Sequence, residues 1–154
     1  MIRGIHHAAL CVRDLHRMVA FYRDVVGFTV VAESSWESCD LIDEIVGLKN
    51  SAAKSVMLKA GNAYLEMFEY RAPTSKSTDP LRPCDFGYTH IALDVVDIWS
   101  EYERLVRAGM QFCRAPAEIG DIRAVYGKDP EGNIVEIQEV TDPKHAFATE
   151  RLQQ

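Results

Sequence analysis

No two of the four cysteines form a Cys-x-x-Cys pair. Cys11, Cys39, Cys84 and Cys113 are scattered through a 154-residue chain, which is long enough to fold without staples. That argues against a disulfide framework and predicts reduced thiols in a cytoplasmic protein. The chain also lacks any apolar run of about 18 residues, the length a membrane-spanning helix needs, and its N-terminus enters a strand pattern without signal-peptide features. Basic residues are in deficit, with 17 Lys and Arg against 23 Asp and Glu for a net charge of −6. Phosphate backbones and acidic membranes are bound through the opposite balance, so neither nucleic acid nor a membrane is an expected partner. What the chain has is apolar content, 47% of its residues, enough for a core in one compact unit or in two small halves that share one.

The most informative stretch is Gly87-Tyr88-Thr89-His90-Ile91-Ala92-Leu93-Asp94-Val95. Ile91, Leu93 and Val95 alternate with His90, Ala92 and Asp94, the period of two that a half-buried strand requires. Residues 7–14 repeat it: His7/His90, Ala9/Ala92, Leu10/Leu93, Val12/Val95 and Asp14/Asp97 all lie 83 positions apart. Five coincidences at one offset mark a duplicated module with a histidine on one face of each first strand.

In chain order, the pattern predicts a strand over 5–12, then a helix capped by Asp14 (Leu15, Met18, Val19, Tyr22, Val25/Val26) and closed by Gly27. Residues 28–32 read as a second strand. Residues 35–49, with Trp36 and a short apolar period, read as an insertion with a short helix, a candidate lid. Ala60-Gly61-Asn62 marks a hairpin between strands 55–59 and 63–69. Residues 71–86, with Pro73, Pro80 and Pro83, read as the linker. The second module then repeats the order: strand 87–95, an Asp97-capped helix ending at Gly109, and strands 110–114, 122–127 and 134–140. The tail, 141–154, is expected to extend over a partner or to fray. Module 1 thus covers about 4–70 and module 2 about 87–140, within a single domain spanning 1–154.

Tyr64-Leu65-Glu66-Met67 and Ile134-Val135-Glu136-Ile137 each follow a Gly-Asn turn and place a glutamate between apolar neighbours. A sequestered carboxylate needs a cation. Two histidines and two glutamates, delivered by first and last strands, supply a divalent metal site, with Zn, Ni, Co, Fe or Mn as candidates and positions left for water or substrate. The His-to-Glu separations are 59 (66 − 7) and 46 (136 − 90) residues, and the difference of 13 is about the size of the insertion before Ser51.

The segments 7–15, 21–28 (Phe21-Tyr22-Arg23-Asp24-Val25-Val26-Gly27-Phe28), 87–93 and 129–136 (Asp129-Pro130-Glu131-Gly132-Asn133-Ile134-Val135-Glu136) resemble the vicinal oxygen chelate superfamily, which includes glyoxalase I and methylmalonyl-CoA epimerase, over residues 4–140. The resemblance implies an α+β fold of two tandem βαβββ modules forming a cupped mixed sheet. It also implies one divalent metal ion per site, held by His7, Glu66, His90 and Glu136, and a homodimer. An acid at 66 favours the isomerase and lyase branch. The expected reaction is removal of a proton next to a metal-bound carbonyl through an enediolate, with Glu136 or Glu66 as the base. Two alternatives stay open: an extradiol-type ring-cleavage dioxygenase using His7, His90, Glu136 and Fe(II), and a non-catalytic small-molecule (drug) binding or resistance protein.

Around these residues, Tyr64 and Phe68 share the face of Glu66 and either line a substrate pocket or pack. Arg123 and Tyr126 are candidate substrate contacts, with a surface ion pair the alternative for Arg123. Trp36 is a candidate lid contact or a packing residue. His6 is expected on the opposite strand face from His7, His16 and His145 in solvent, and Cys11 and Cys113 in the core.

Overall fold

The computed structural model of the protein describes residues 1–77 and 79–149. Thr78 of the expected linker and the last part of the expected tail, 150–154, lie outside the described residues. The chain divides into two compact units, Met1–Asp79 and Pro80–Gln154, and each repeats the same plan. No helix among the described residues is long and apolar enough to cross a membrane.

In the first unit β1 (His7–Cys11) is followed by helix α1 (Leu15–Ala20), which widens into a π-helical turn over Phe21–Val26. Strand β2 (Thr29–Glu37), helix α2 (Asp40–Val46) and the hairpin β3 (Ala52–Ala60) and β4 (Ala63–Ala72) complete it. The sheet order is β1-β4-β3-β2, with β1 parallel to β4 and the other pairs antiparallel. One face is apolar. Val56, Leu58, Leu65 and Met67 are buried there, as are Leu15, Met18, Phe21 and Tyr22 of the helix. At about 1.5–3 kcal/mol for each fully buried large side chain, this layer is the main source of the unit's stability.

The second unit runs β5 (His90–Asp94), α3 (Ile98–Arg107), β6 (Gln111–Phe112), β7 (Ala117–Ile119), β8 (Ile122–Lys128) and β9 (Ile134–Val140). Its order is β5-β9-β8-β6, with β7 on β8 and β5 parallel to β9. Ile98, Leu105, Val125, Val135 and Ile137 form its core. A Cβ on Gly127 would stand 2.5 Å from Met110 Cε and 2.8 Å from the Phe112 ring, so β6 can close on β8 only over a glycine. The turn into β9 is built by buried Asp129, which accepts from the N–H groups of Glu131 and Asn133 and from Asn133 Nδ2.

Helices α1 and α3 start in the same way. Asp14 accepts from Arg17 N and Asp97 from Ser100 N. A glutamate from the last strand of each unit adds a second acceptor: Glu69 takes Leu15 N, and Glu139 takes Asp97 N and Ile98 N. These carboxylates satisfy amides that no intrahelical carbonyl reaches.

Several expectations change. Trp36 lies in β2, paired with Ala53, not in the insertion; the strand outlasts its apolar signal because β3 pairs it throughout. Cys11 and Cys113 are exposed, and Cys11 shares the alternation that turns His7 outward. Strand 87–95 shortens to His90–Asp94 and strand 110–114 to Gln111–Phe112, while β7 was not anticipated. Strand β4 takes the first two residues of the expected linker. The tail does not fray at its start: Ala148 is buried, and the Thr149 hydroxyl bonds to Asp94. His145 is only half exposed and its Nδ1 accepts from Phe147 N.

Candidate metal centre

Each unit builds a histidine–glutamate pair from its parallel strand pair. In the first, Ala9 lies opposite Glu66 and His7 opposite Tyr64. In the second, Ala92 lies opposite Glu136 and His90 opposite Ile134. The register is the same, and in both cases the smallest chiral side chain beside the glutamate leaves it room to lean toward the histidine. His7 Nε2 lies 3.3 Å from Glu66 Oε2, and His90 Nε2 lies 3.2 Å from Glu136 Oε2.

The other ring nitrogen is held in both. His6 Nδ1 is 2.9 Å from His7 Nδ1, and Thr89 Oγ1 is 3.1 Å from His90 Nδ1. The preceding residue therefore orients each imidazole and can accept from Nδ1–H, leaving Nε2 directed at the carboxylate. His6 is thus not on an opposite strand face. It precedes β1, and its ring stacks on Tyr64 with centroids 5.0 Å apart.

The pairs suit an ion chemically. Two donors about 2.1 Å from a divalent ion, at 90–110° to each other, stand about 3.0–3.4 Å apart, which is the separation seen twice here. Each pair fits two adjacent coordination positions. Among the described residues no group of three or more His, Cys, Asp or Glu side chains is gathered, so the structure brings together His7 with Glu66 and His90 with Glu136 and assembles no larger set. The side chain of Glu136 is 14% exposed and that of Glu66 21%. Burial raises the proton affinity of the Glu136 carboxyl, and His90 partly offsets this.

Other candidate residues divide by face. Tyr126 lies opposite Glu136, its ring 4.9 Å from that of His90, and burial and the Glu136 charge push its phenol up. Tyr64 and Phe68 share the face of Glu66, as expected from a period of two. Arg123 leaves the opposite face of β8 from Tyr126, and Glu118 and Glu139 take its guanidinium at 2.7 and 3.3 Å. It is a structural ion pair supporting the α3 cap. Trp36 meets Phe68 and Tyr70, with ring centroids 6.0 and 5.8 Å away. Sequence reasoning missed His6 and Thr89 as ring holders, although both immediately precede the repeated histidine. It also missed Tyr70, which continues the alternation Tyr64, Glu66, Phe68.

A mixed α+β sheet with a paired helix, repeated with a His–Glu pair in each copy, defines a class of duplicated α+β folds. The model of the glyoxalase/bleomycin resistance protein/dioxygenase superfamily matches residues 4–137, and the chain belongs to that superfamily. It is 31% identical over 147 residues to a 2-epi-5-epi-valiolone epimerase from an Actinomyces species, covering 87% of this chain and 78% of the relative. Among solved structures, a glyoxalase family protein from Bacillus cereus superposes with a TM-score of 0.80 at 17% identity, over 90% of this chain and 95% of that one. A genomically encoded fosfomycin resistance protein from Listeria monocytogenes, solved with Mn(II) and sulfate, has a TM-score of 0.60 at 20% identity and 99% coverage of both chains.

Proposed function

We propose that this protein is a divalent-metal-dependent isomerase or lyase of the glyoxalase and epimerase type that removes a proton from a carbon next to a carbonyl. The observation that carries the reading is the doubled His–Glu pair at 3.3 and 3.2 Å. In this reading His7, Glu66, His90 and Glu136 hold one ion, with Zn, Ni, Co, Fe or Mn as candidates, and modules 4–70 and 87–140 act as one domain. A homodimer is part of the proposal: β1 and β5 are edge strands of their own sheets, and edges left bare invite pairing. None of the four cysteines is in a disulfide, which fits a cytoplasmic protein.

The bound ion would supply Lewis-acid polarisation of the substrate carbonyl. Glu136, the more enclosed carboxylate, would take the proton from the α-carbon, and Glu66 would return one on the other face or at the neighbouring carbon. Tyr126, beside His90 and Glu136, would orient the substrate oxygen. Two anionic carboxylates balance a dication, so an anionic intermediate adds charge to a nearly neutral site. The 31% identical relative is named an epimerase, and the Listeria protein was solved with Mn(II); both accord with this chemistry. Glu66 stands on His7 as Glu136 stands on His90, which favours four ligands over the three of a ring-cleaving dioxygenase.

The test is solvent deuterium exchange at the α-carbon of thioester, hemithioacetal and 2-hydroxy-ketone substrates, with Glu136→Gln as the control. Exchange in the metal-loaded protein that E136Q abolishes supports the proposal. Undiminished exchange in E136Q removes Glu136 as base. Ligand binding without exchange in any substrate would make this a small-molecule binding protein.

A further inference from the structure

We infer that Asp43, on α2, is a positioning residue for Trp36, and that Trp36 with Phe68 and Tyr70 forms a subsite for a planar apolar group on the substrate. This rests on the proposed chelating site, since it assigns the part of the substrate that does not chelate.

Strand register puts the subsite on the face that carries the chelating pair. Ala32, Met57, Glu66 and Ala9 form one cross-strand row, Ser34, Ser55, Phe68 and Cys11 the next, and Trp36, Ala53 and Tyr70 the third. Two residues along a strand advance about 7 Å, so Phe68 stands about 7 Å and Tyr70 about 14 Å from Glu66. Strands β2 and β4 flank β3 and are two strand spacings, about 9.6 Å, apart. The Trp36 and Tyr70 centroids are only 5.8 Å apart, so the two rings lean toward each other over Ala53, which is fully buried. Small residues at 34, 53 and 55 form a floor, and three half-buried rings stand on it.

A tryptophan next to an edge-strand end has many rotamers open to it, and a relay removes that freedom. The Trp36 indole N–H donates to Ser51 Oγ at 2.8 Å. Ser51 is fully buried, its hydroxyl donates to Asp43 Oδ1, and its backbone N–H donates to the same oxygen at 2.9 Å. One carboxylate oxygen on α2 thus fixes the hydroxyl that fixes the indole. No buried side-chain polar atom among the described residues lacks a hydrogen-bond partner, the condition under which a buried network gives rigidity rather than cost. The short helix after β2 is therefore an anchor for the aromatic wall, and a substrate with a chelating head would lay a flat apolar substituent one strand repeat away.

The test uses the full chain with Trp99→Phe, which leaves Trp36 as the sole tryptophan of the two. With Zn(II) bound, titration with 2-hydroxy-4-phenylbutanoate and with lactate compares one chelating head with and without a phenyl arm. The phenyl acid should bind about tenfold more tightly and change the Trp36 emission. Asp43→Ala, and independently Ser51→Ala should D43A fail to fold, should abolish most of that preference and red-shift Trp36 in the ligand-free protein. Asp43→Asn keeps an Oδ1 acceptor for Ser51 and should restore both. No phenyl preference in the parent, or the same preference in folded D43A or S51A, overturns the inference. If Zn(II) does not bind, the proposed function fails by itself, and 3-phenyl-1-propanol then decides the subsite in the metal-free protein. A Trp36 response that D43A loses supports the subsite, and no response overturns it.

Discussion

Replacing Glu136 by Gln should separate the stability of the fold from that conferred by the ion. The carboxylate side chain is 14% exposed, and its neighbour at 3.2 Å is His90 Nε2. An amide there can still hydrogen-bond the imidazole and removes a charge whose burial is costly. The metal-free variant should therefore melt within about 2 °C of wild type, or above it. Adding the ion at 100 times its dissociation constant stabilises wild type by about 2.7 kcal/mol. In a chain of 154 residues each kcal/mol raises Tm by about 2–4 °C, so the wild-type rise is about 5–11 °C. If losing one anionic donor weakens binding about 100-fold, the same ion concentration gives about 0.4 kcal/mol, a rise of about 1–2 °C. Thermal unfolding by circular dichroism, with chelator and with saturating Zn(II) or Mn(II), reads both numbers. A full metal-dependent rise in E136Q, or a metal-free variant that melts many degrees lower, would refute the reasoning.

Three further outcomes follow from other parts of the structure. His6→Ala and Thr89→Ala remove the groups holding the two Nδ1 atoms and should each weaken metal binding about 10–100-fold in a chelator competition, with little change in metal-free melting. Gly127→Ala places a methyl against Met110 and Phe112 and should destabilise the fold by about 1–3 kcal/mol in urea titration. Asp97 is held below the usual carboxylate range by hydrogen bonds from Ser100. Its contribution is therefore present above the unfolded-state carboxylate pKa and is lost as pH falls through the lower folded value. Melting curves of wild type and Asp97→Asn should differ at neutral pH and begin to draw together only as pH falls below about 4, the unfolded carboxylate value.

The duplication was legible because it is written in residue identity. His7/His90 and Asp14/Asp97 recur at one offset, and each glutamate follows a Gly-Asn turn. The face of each histidine followed from alternation alone, and β1–β4 and β5–β9 adopt the same register. Trp36 was misplaced because Glu33, Ser34 and Ser35 carry no apolar signal on an edge strand, where pairing with β3 and not burial sustains the extended backbone. Glu69 reaches Leu15 N from 54 positions away, so its role as a helix cap depends on tertiary placement that no local pattern encodes. The same holds for Asp43, which acts on Trp36 only through Ser51. Arg123 was legible as a cation but not as one facing the helix layer, where Glu139 neutralises it.

X-ray absorption spectroscopy of the purified, metal-loaded protein, combined with metal content per chain, tests the central claim most directly. One ion per chain, with two imidazoles and two carboxylates in its coordination shell and with occupancy lost in both His7→Ala and His90→Ala, is the predicted result. Two ions per chain with a single imidazole each, or an ion retained after either histidine is removed, would contradict it.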